Sequence, residues 1–294
     1  MRIIFLIAAV FSILALATIT IFLFASGLPF IFGYGPINFL FGAEWHPDSG
    51  AYGILSMILG TLYVTALATL IGVSIGLFTA ICLYKFTPKK LVGTIRQMVN
   101  LLAGIPSVVY GLFGIMIVVP FLRDYISPNN VGYGIMAASI ILAIMILPTV
   151  ISISLDSLRA VPRNFYEGAL ALGATREQAV FRVVVPSAKS GIFAGVVLAV
   201  GRALGETMAV IMVIGNGPEI PNSLFQTVNT MTSNIAFGAL EATGDKMSAL
   251  VATGVVLFVF TLLLNISFNL LKKEKTDKVN RKKKEAADGK VLKT

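Results

Sequence analysis

Long apolar stretches follow one another along the chain, and charge is confined to the joints between them. Six stand out: Ile3 to Phe24, Ile54 to Tyr84, Met98 to Leu122, Gly134 to Ser154, Gly191 to Ile214 and Ser248 to Leu271. Each is long enough as a helix to cross about 30 Å of hydrocarbon. Backbone groups in hydrocarbon must be hydrogen-bonded within the protein, and the ten-residue alternation of a transmembrane barrel is absent. The pattern therefore predicts an all-α, polytopic bundle of six transmembrane helices. The second stretch exceeds one crossing and is expected to tilt or protrude. The first is longer than the apolar core of a signal peptide and has no clear small-x-small cleavage site, so it is expected to remain as a helix.

Composition supports this reading, since 56% of the 294 residues are hydrophobic and 13% are charged. Too little polar surface remains to solvate a globular exterior. The net charge of +9 is a topology signal, because the cations sit beside the apolar stretches. One set of joints holds Arg2, then Lys85, Lys89, Lys90 and Arg96, then Arg159, Arg163, Arg176, Arg182 and Lys189, and then the Lys-rich end. The other set holds only Arg123 and Lys246. The positive-inside rule then places both termini in the cytoplasm.

Three regions follow. Residues 1–53 comprise the first helix and an extracytoplasmic segment in which Trp45 is expected to anchor at the headgroups. Residues 54–271 form the main transmembrane domain, with a cytoplasmic loop at 155–190, and residues 272–294 are a basic tail expected to be disordered and held near anionic headgroups. His46 is the only histidine and Cys82 the only cysteine. Neither has the company that a metal or redox site needs, so no metal site is expected.

The joint from Arg159 to Ser190 reads RAVPRNFYEGALALGATREQAVFRVVVPSAKS. Pro162 is expected to start a short helix that Gly173 breaks, and Thr175 with Gln178 forms a capping box opening a second short helix. The two make an L-shaped cytosolic knob. An amphipathic loop that merely joins two spans fits the same composition. Glu167, Gly168, Ala169, Gly173, Val183, Val185 and Pro186 fall at the spacing of the EAA motif, so the chain resembles the permease subunits of ABC importers. The resemblance implies a MetI-like bundle whose knob docks on a cytosolic ABC ATPase dimer. Glu167, Gly168, Ala169, Gly173 and Pro186 become the ATPase-coupling candidates. Ala169 and Gly173 would allow close approach of the partner, and Glu167 would offer it a charge. Gly168 departs from the motif by standing at the first of its two alanines. The chain has no GxxxxGK[ST] loop, so ATP and magnesium belong to the ATPase and this chain is expected to bind no cofactor and to catalyse no reaction.

In the fifth stretch GRALGETMAV places Arg202 and Glu206 at i and i+4, on one helix face. Charges at this depth mark a transport path, although a neutral pair that pins two helices fits equally well. In the third stretch Ile105 and Pro106 interrupt the helix beside the hydroxyls of Ser107 and Tyr110. A proline kink with Ser107 bonded to a carbonyl is the plainer alternative. Thr61, Thr65 and Thr69 form a polar stripe that suits helix packing more than a pore wall.

GRALGETMAVIMVIGN, LLAGIPSVVYGLFG, AIMILPT and FLFGAEWHP together resemble the PstC-type permeases of phosphate importers. Asn100 departs from that pattern, where an acidic residue often precedes LLAGIP. The resemblance implies a pathway of Ser107, Tyr110, Arg202, Glu206 and Thr207, with partners comprising the ATPase dimer, a PstA-type second permease and an extracytoplasmic phosphate-binding protein. It also implies a bacterial or archaeal cell membrane. Importers of sulfate or molybdate, and a phosphate-sensing scaffold, are the alternatives.

Overall fold

The computed structural model describes the backbone of residues 1–291 and all side chains except those of Lys89, Asn269 and residues 271–294. Among the described residues six helices are long and apolar enough to cross a membrane: Arg2–Tyr34, Leu55–Phe86, Ser107–Tyr125, Ile135–Arg159, Arg176–Gly205 and Asp245–Phe268. The chain divides into two compact units. The first is built from Met1–Ala68, Ile105–Ile144 and Leu204–Val259, the second from Thr69–Gly104, Met145–Ala203 and Phe260–Thr294.

In the first unit, α1 (Arg2–Tyr34) extends past the expected end at Phe24, because Ser26 and Pro29 are accommodated within the helix. Its amino-terminal half is exposed on every side, as a helix facing lipid is. Gly27 packs α1 on the last helix, where an added Cβ would meet Val255 and Ala252. The short α2 (Pro36–Phe41) and the hairpin of β1 (Trp45–His46) and β2 (Ala51–Tyr52) form the expected ordered excursion. Its centre is aromatic: the Tyr52 ring meets Phe30, Tyr34 and Trp45 edge-on, with centroids 5.2 to 5.9 Å apart. The Tyr34 hydroxyl accepts the Tyr52 N–H at 3.2 Å. Burial first, then the charge of Asp245, raises the pKa of the Tyr52 phenol.

The second unit has a core of Ile81, Leu83, Ile151, Leu155, Leu158, Val180, Val184 and Ile192, drawn from α3 (Leu55–Ile81) with the turn after it, α7 (Ile135–Arg159) and the segment leading into the fifth span. α4 (Lys89–Gly104) lies against it through Ile95 and Val99. Arg96 adds a 2.9 Å ion pair to Asp156 on α7. Both side chains are substantially exposed, so this pair contributes at most about 1 kcal/mol.

Two expected spans are redrawn. The third does not begin at Met98, because Ile105 and Pro106 separate the amphipathic α4 from α5 (Ser107–Phe113), which continues through α6 (Val119–Tyr125). Proline lacks the N–H that the ladder needs and turns the residue before it away from helix. The fifth span begins earlier and ends sooner than Gly191 to Ile214. It runs from α9 (Arg176–Ala179) into α10 (Val185–Gly205) and is broken at Glu206 and Thr207 before α11 (Met208–Val213). The π-turn at residues 180–184 carries the helix past Pro186, so the second helix of the knob is the opening of this span. α13 (Asp245–Val291) carries helical backbone into the basic segment, whose Lys, Arg, Glu and Ala favour helix. The tail's side chains lie outside the described residues.

Among the described residues there are three π-turns: Gly114–Val118 and Val180–Val184 interrupt helices that continue beyond them, and Cys82–Phe86 ends the second span, the chain turning extended at Thr87. Each ends two residues before a proline: Pro88, Pro120 and Pro186. Inside a helix a proline ring collides with the carbonyl four residues back, which for Pro120 and Pro186 belongs to the middle residue of the turn. Widening the turn moves that carbonyl aside.

Candidate functional site

The coupling candidates lie on α8 (Arg163–Ala171) and the turn after it, in the second unit. Pro162 caps α8, Gly173 leaves it at φ +85°, and Thr175 and Gln178 exchange both bonds of a capping box, at 3.3 and 3.1 Å. Two residues three apart fasten α8 inward. Tyr166 packs on the core of the unit with the Lys85 ammonium 4.1 Å from its ring centre, and Ala169 is buried. Ala169 thus packs within its own unit. Glu167, Gly168, Gly173 and Pro186 are exposed, and an added Cβ at Gly168 or Gly173 would meet open space. The sequence reading missed Phe165 and Leu172, which are 50% and 91% exposed. Large apolar side chains on a cytosolic-type polar helix were the available signal.

The pathway candidates other than Arg202 lie in the first unit, at two helix breaks. Pro106 caps α5 and Thr207 precedes α11. These two short helices pack together through glycine: a Cβ on Gly111 would meet Ala209 and Met212, and one on Gly114 would meet Val213. Rising number against rising number makes them parallel, so Ser107 and Thr207 open their helices at the same end. Tyr110 is buried and Ser107, Glu206 and Thr207 are half-buried.

Glu206 is not one turn above Arg202 on a common helical face, because α10 stops at Gly205. Its carboxylate instead accepts the Ala209 N–H at 3.2 Å and caps α11, while its carbonyl accepts the Thr232 hydroxyl at 3.3 Å. Negative charge at a helix N-terminus is electrostatically favoured. The Gly205–Glu206 break thus supplies its own cap, which the reading of Arg202 and Glu206 as a pair overlooked. Arg202 is exposed near the end of α10. Thr207 donates to the Gly205 carbonyl at 3.3 Å.

A polar knot behind this break was also missed. In α12 (Met231–Gly238) and the residues before it, Thr230 and Ser233 cap one another, Asn229 donates to Asn234 at 3.3 Å, and the Met231 N–H donates to Thr61 at 3.1 Å. Thr61 of the expected stripe is thus packing glue, and Gly60 beside it lets α3 approach the Asn229 carbonyl. The signal was the polar run NTMTSN at 229–234 between two apolar stretches.

The profile of the binding-protein-dependent transport system inner membrane component family matches residues 72–276. The chain belongs to this family. The phosphate transport system permease protein PstC of Mesorhizobium japonicum is 39% identical over 276 residues, covering 87% of this chain and 84% of that one. The probable ABC transporter permease protein YqgH of Bacillus subtilis is 39% identical over 261 residues, with the same coverage. PstC of Pasteurella multocida is 36% identical over 280 residues, covering 88% and 87%. Among solved structures, an inward-facing MetNI methionine ABC transporter superposes with a TM-score of 0.59 at 19% identity, over 75% of this chain and 96% of that one. A bacterial alginate ABC transporter gives 0.59 at 18%, over 93% and 99%. The fold is that of a MetI-like ABC permease. This family member is a multi-pass membrane transport component and not an enzyme.

Proposed function

We propose that this permease imports phosphate at the expense of ATP, forming the path with a PstA-type second permease. A cytosolic ABC ATPase dimer holds ATP and magnesium, and an extracytoplasmic phosphate-binding protein delivers the solute. Both termini lie in the cytoplasm, where the basic joints meet anionic lipid and the knob meets the ATPase. The observation that carries the solute is the likeness to PstC proteins over most of both chains.

The roles follow from chemistry at the breaks. Arg202 offers a fixed fork of donors that matches phosphate oxygens, and a single cation lowers the barrier to an anion without trapping it. Ser107, Tyr110 and Thr207 supply hydroxyls where the helices open. Glu206 holds α11 in place, and its carboxylate repels an anion that lingers. Glu167, Gly168, Gly173 and Pro186 meet the ATPase, whose closure moves the knob. The test is ATP-dependent uptake of radiolabelled phosphate by the complete reconstituted complex, with sulfate or molybdate in large excess. Uptake indifferent to both competitors is the expected result. Uptake of either competitor with none of phosphate overturns the choice of solute.

A further inference from the structure

Where the fifth span leaves the knob, the second unit carries a groove of about 790 Å³ that the pathway roles do not use and that shares only Pro186 with the coupling candidates. Its charged lining is wholly positive, Arg182 and Lys189, and its walls include Phe165 and Pro186. Among the described residues neither cation is in an ion pair. Two hydroxyls complete it. Ser157 donates to the Ile153 carbonyl at 2.6 Å and Ser187 to the Val183 carbonyl at 2.7 Å, so their protons are committed and their oxygens remain as acceptors. The floor is rigid, because Gly191 brings α10 against Ser157 and a Cβ there would collide with it.

We infer that this groove binds the headgroup of an anionic phospholipid, of the phosphatidylglycerol class. Two strong donors suit a phosphodiester, two acceptor oxygens suit headgroup hydroxyls, and apolar walls suit the start of an acyl chain. Free inorganic phosphate would use the cations and gain nothing from Phe165 and Pro186. The position fits as well: Arg182 and Lys189 stand at the basic end of a membrane-crossing helix, where cations meet the anionic leaflet. The inference rests on the family and the fold and is independent of the transported solute.

The complete transporter, in nanodiscs, is treated with an amine-acylating reagent, and modification of Lys189 is read by mass spectrometry. Discs of phosphatidylcholine alone are compared with discs containing phosphatidylglycerol and with phosphatidylcholine discs supplied with inorganic phosphate. Phosphatidylglycerol is expected to protect Lys189, and Arg182→Gln to weaken that protection on the order of fivefold, the effect of about 1 kcal/mol per surface cation. The same variant should copurify with its ATPase as wild type does, which separates lipid loss from misfolding. Equal protection by inorganic phosphate overturns the lipid in favour of the free anion. Equal protection in all three discs, relieved when the ATPase is removed, overturns it in favour of the ATPase. Lys189 equally reactive in every disc overturns any occupant.

Discussion

Glu206 carries two properties at once, a charge and a helix cap, and substitution can separate them. Glu206→Gln keeps an amide oxygen that accepts the Ala209 N–H, whereas Glu206→Ala leaves that donor bare at the start of α11. Loss of an N-cap costs about 1 kcal/mol, so only the alanine variant should lower the thermal midpoint of the purified complex. If the charge serves transport, both variants lose phosphate uptake. If the cap is the whole role, the glutamine variant transports as wild type does. We expect loss in both. Exchanging the charges, Arg202→Glu with Glu206→Arg, should leave the complex assembled and inactive, because position 206 caps a helix and position 202 does not. Restored uptake in the exchanged protein would show that the two residues serve only as a helix clamp.

Among the elements, the packing of α5 on α11 is decided by Gly111 and Gly114. A methyl at Gly111 meets the Ala209 backbone at 3.2 Å and Met212 Sδ at 2.5 Å. Gly111→Leu should therefore destabilise the fold by about 1–3 kcal/mol, as overpacking does, and displace the pair of breaks that the two helices present together. Gly93 on α4 is the matched control, since nothing lies within 4 Å of its added Cβ. Gly93→Ala should stabilise by up to about 1 kcal/mol through helix propensity alone. Thermal unfolding in detergent distinguishes the two, and a neutral Gly111→Leu would sink the packing argument. This contrast also shows why the elements were unevenly legible. Hydropathy located all six crossings, and Pro106 announced the third-span break by its own chemistry. The break at Glu206 had no proline or breaker run to mark it, only GET, whose cap forms with an N–H three residues on. The extension of the fifth span into the knob was hidden for the opposite reason, since Pro186 reads as an ending and the π-turn before it lets the helix continue.

At the scale of the whole molecule, the knob is the part that must be both fastened and free. Tyr166 and Ala169 hold α8 inward, while Glu167, Leu172 and Gly173 face out. Glu167→Lys should reverse a docking charge, and Gly173→Trp should fill the turn where a partner approaches, both leaving the chain inserted but poorly joined to its ATPase. Gly173 sits at a left-handed φ that asparagine tolerates better than other side chains, so Gly173→Asn controls for backbone strain. ATPase pull-down beside uptake tests this, and wild-type values for both variants would defeat the docking role. The motif's spacing was legible because a turn glycine and a capping box are local; the fastening of Tyr166 was not, since it depends on the distant Lys85. The π-turns set a different kind of constraint on the same molecule. Gly114–Val118 and Val180–Val184 each hold one residue more than an α-helix of that length requires, so every later residue of those helices is rotated by roughly 100° from where an unbroken helix would put it. Deleting one residue of Val180–Val184 should therefore be absorbed by closing the turn to ordinary α-helix, whereas deleting one residue within α10 would leave nearly every side chain unchanged and yet turn the rest of the fifth span out of phase with its neighbours. Along these stretches the protein depends on how many residues there are as much as on which ones, and tolerance to substitution is no guide to tolerance of a single deletion.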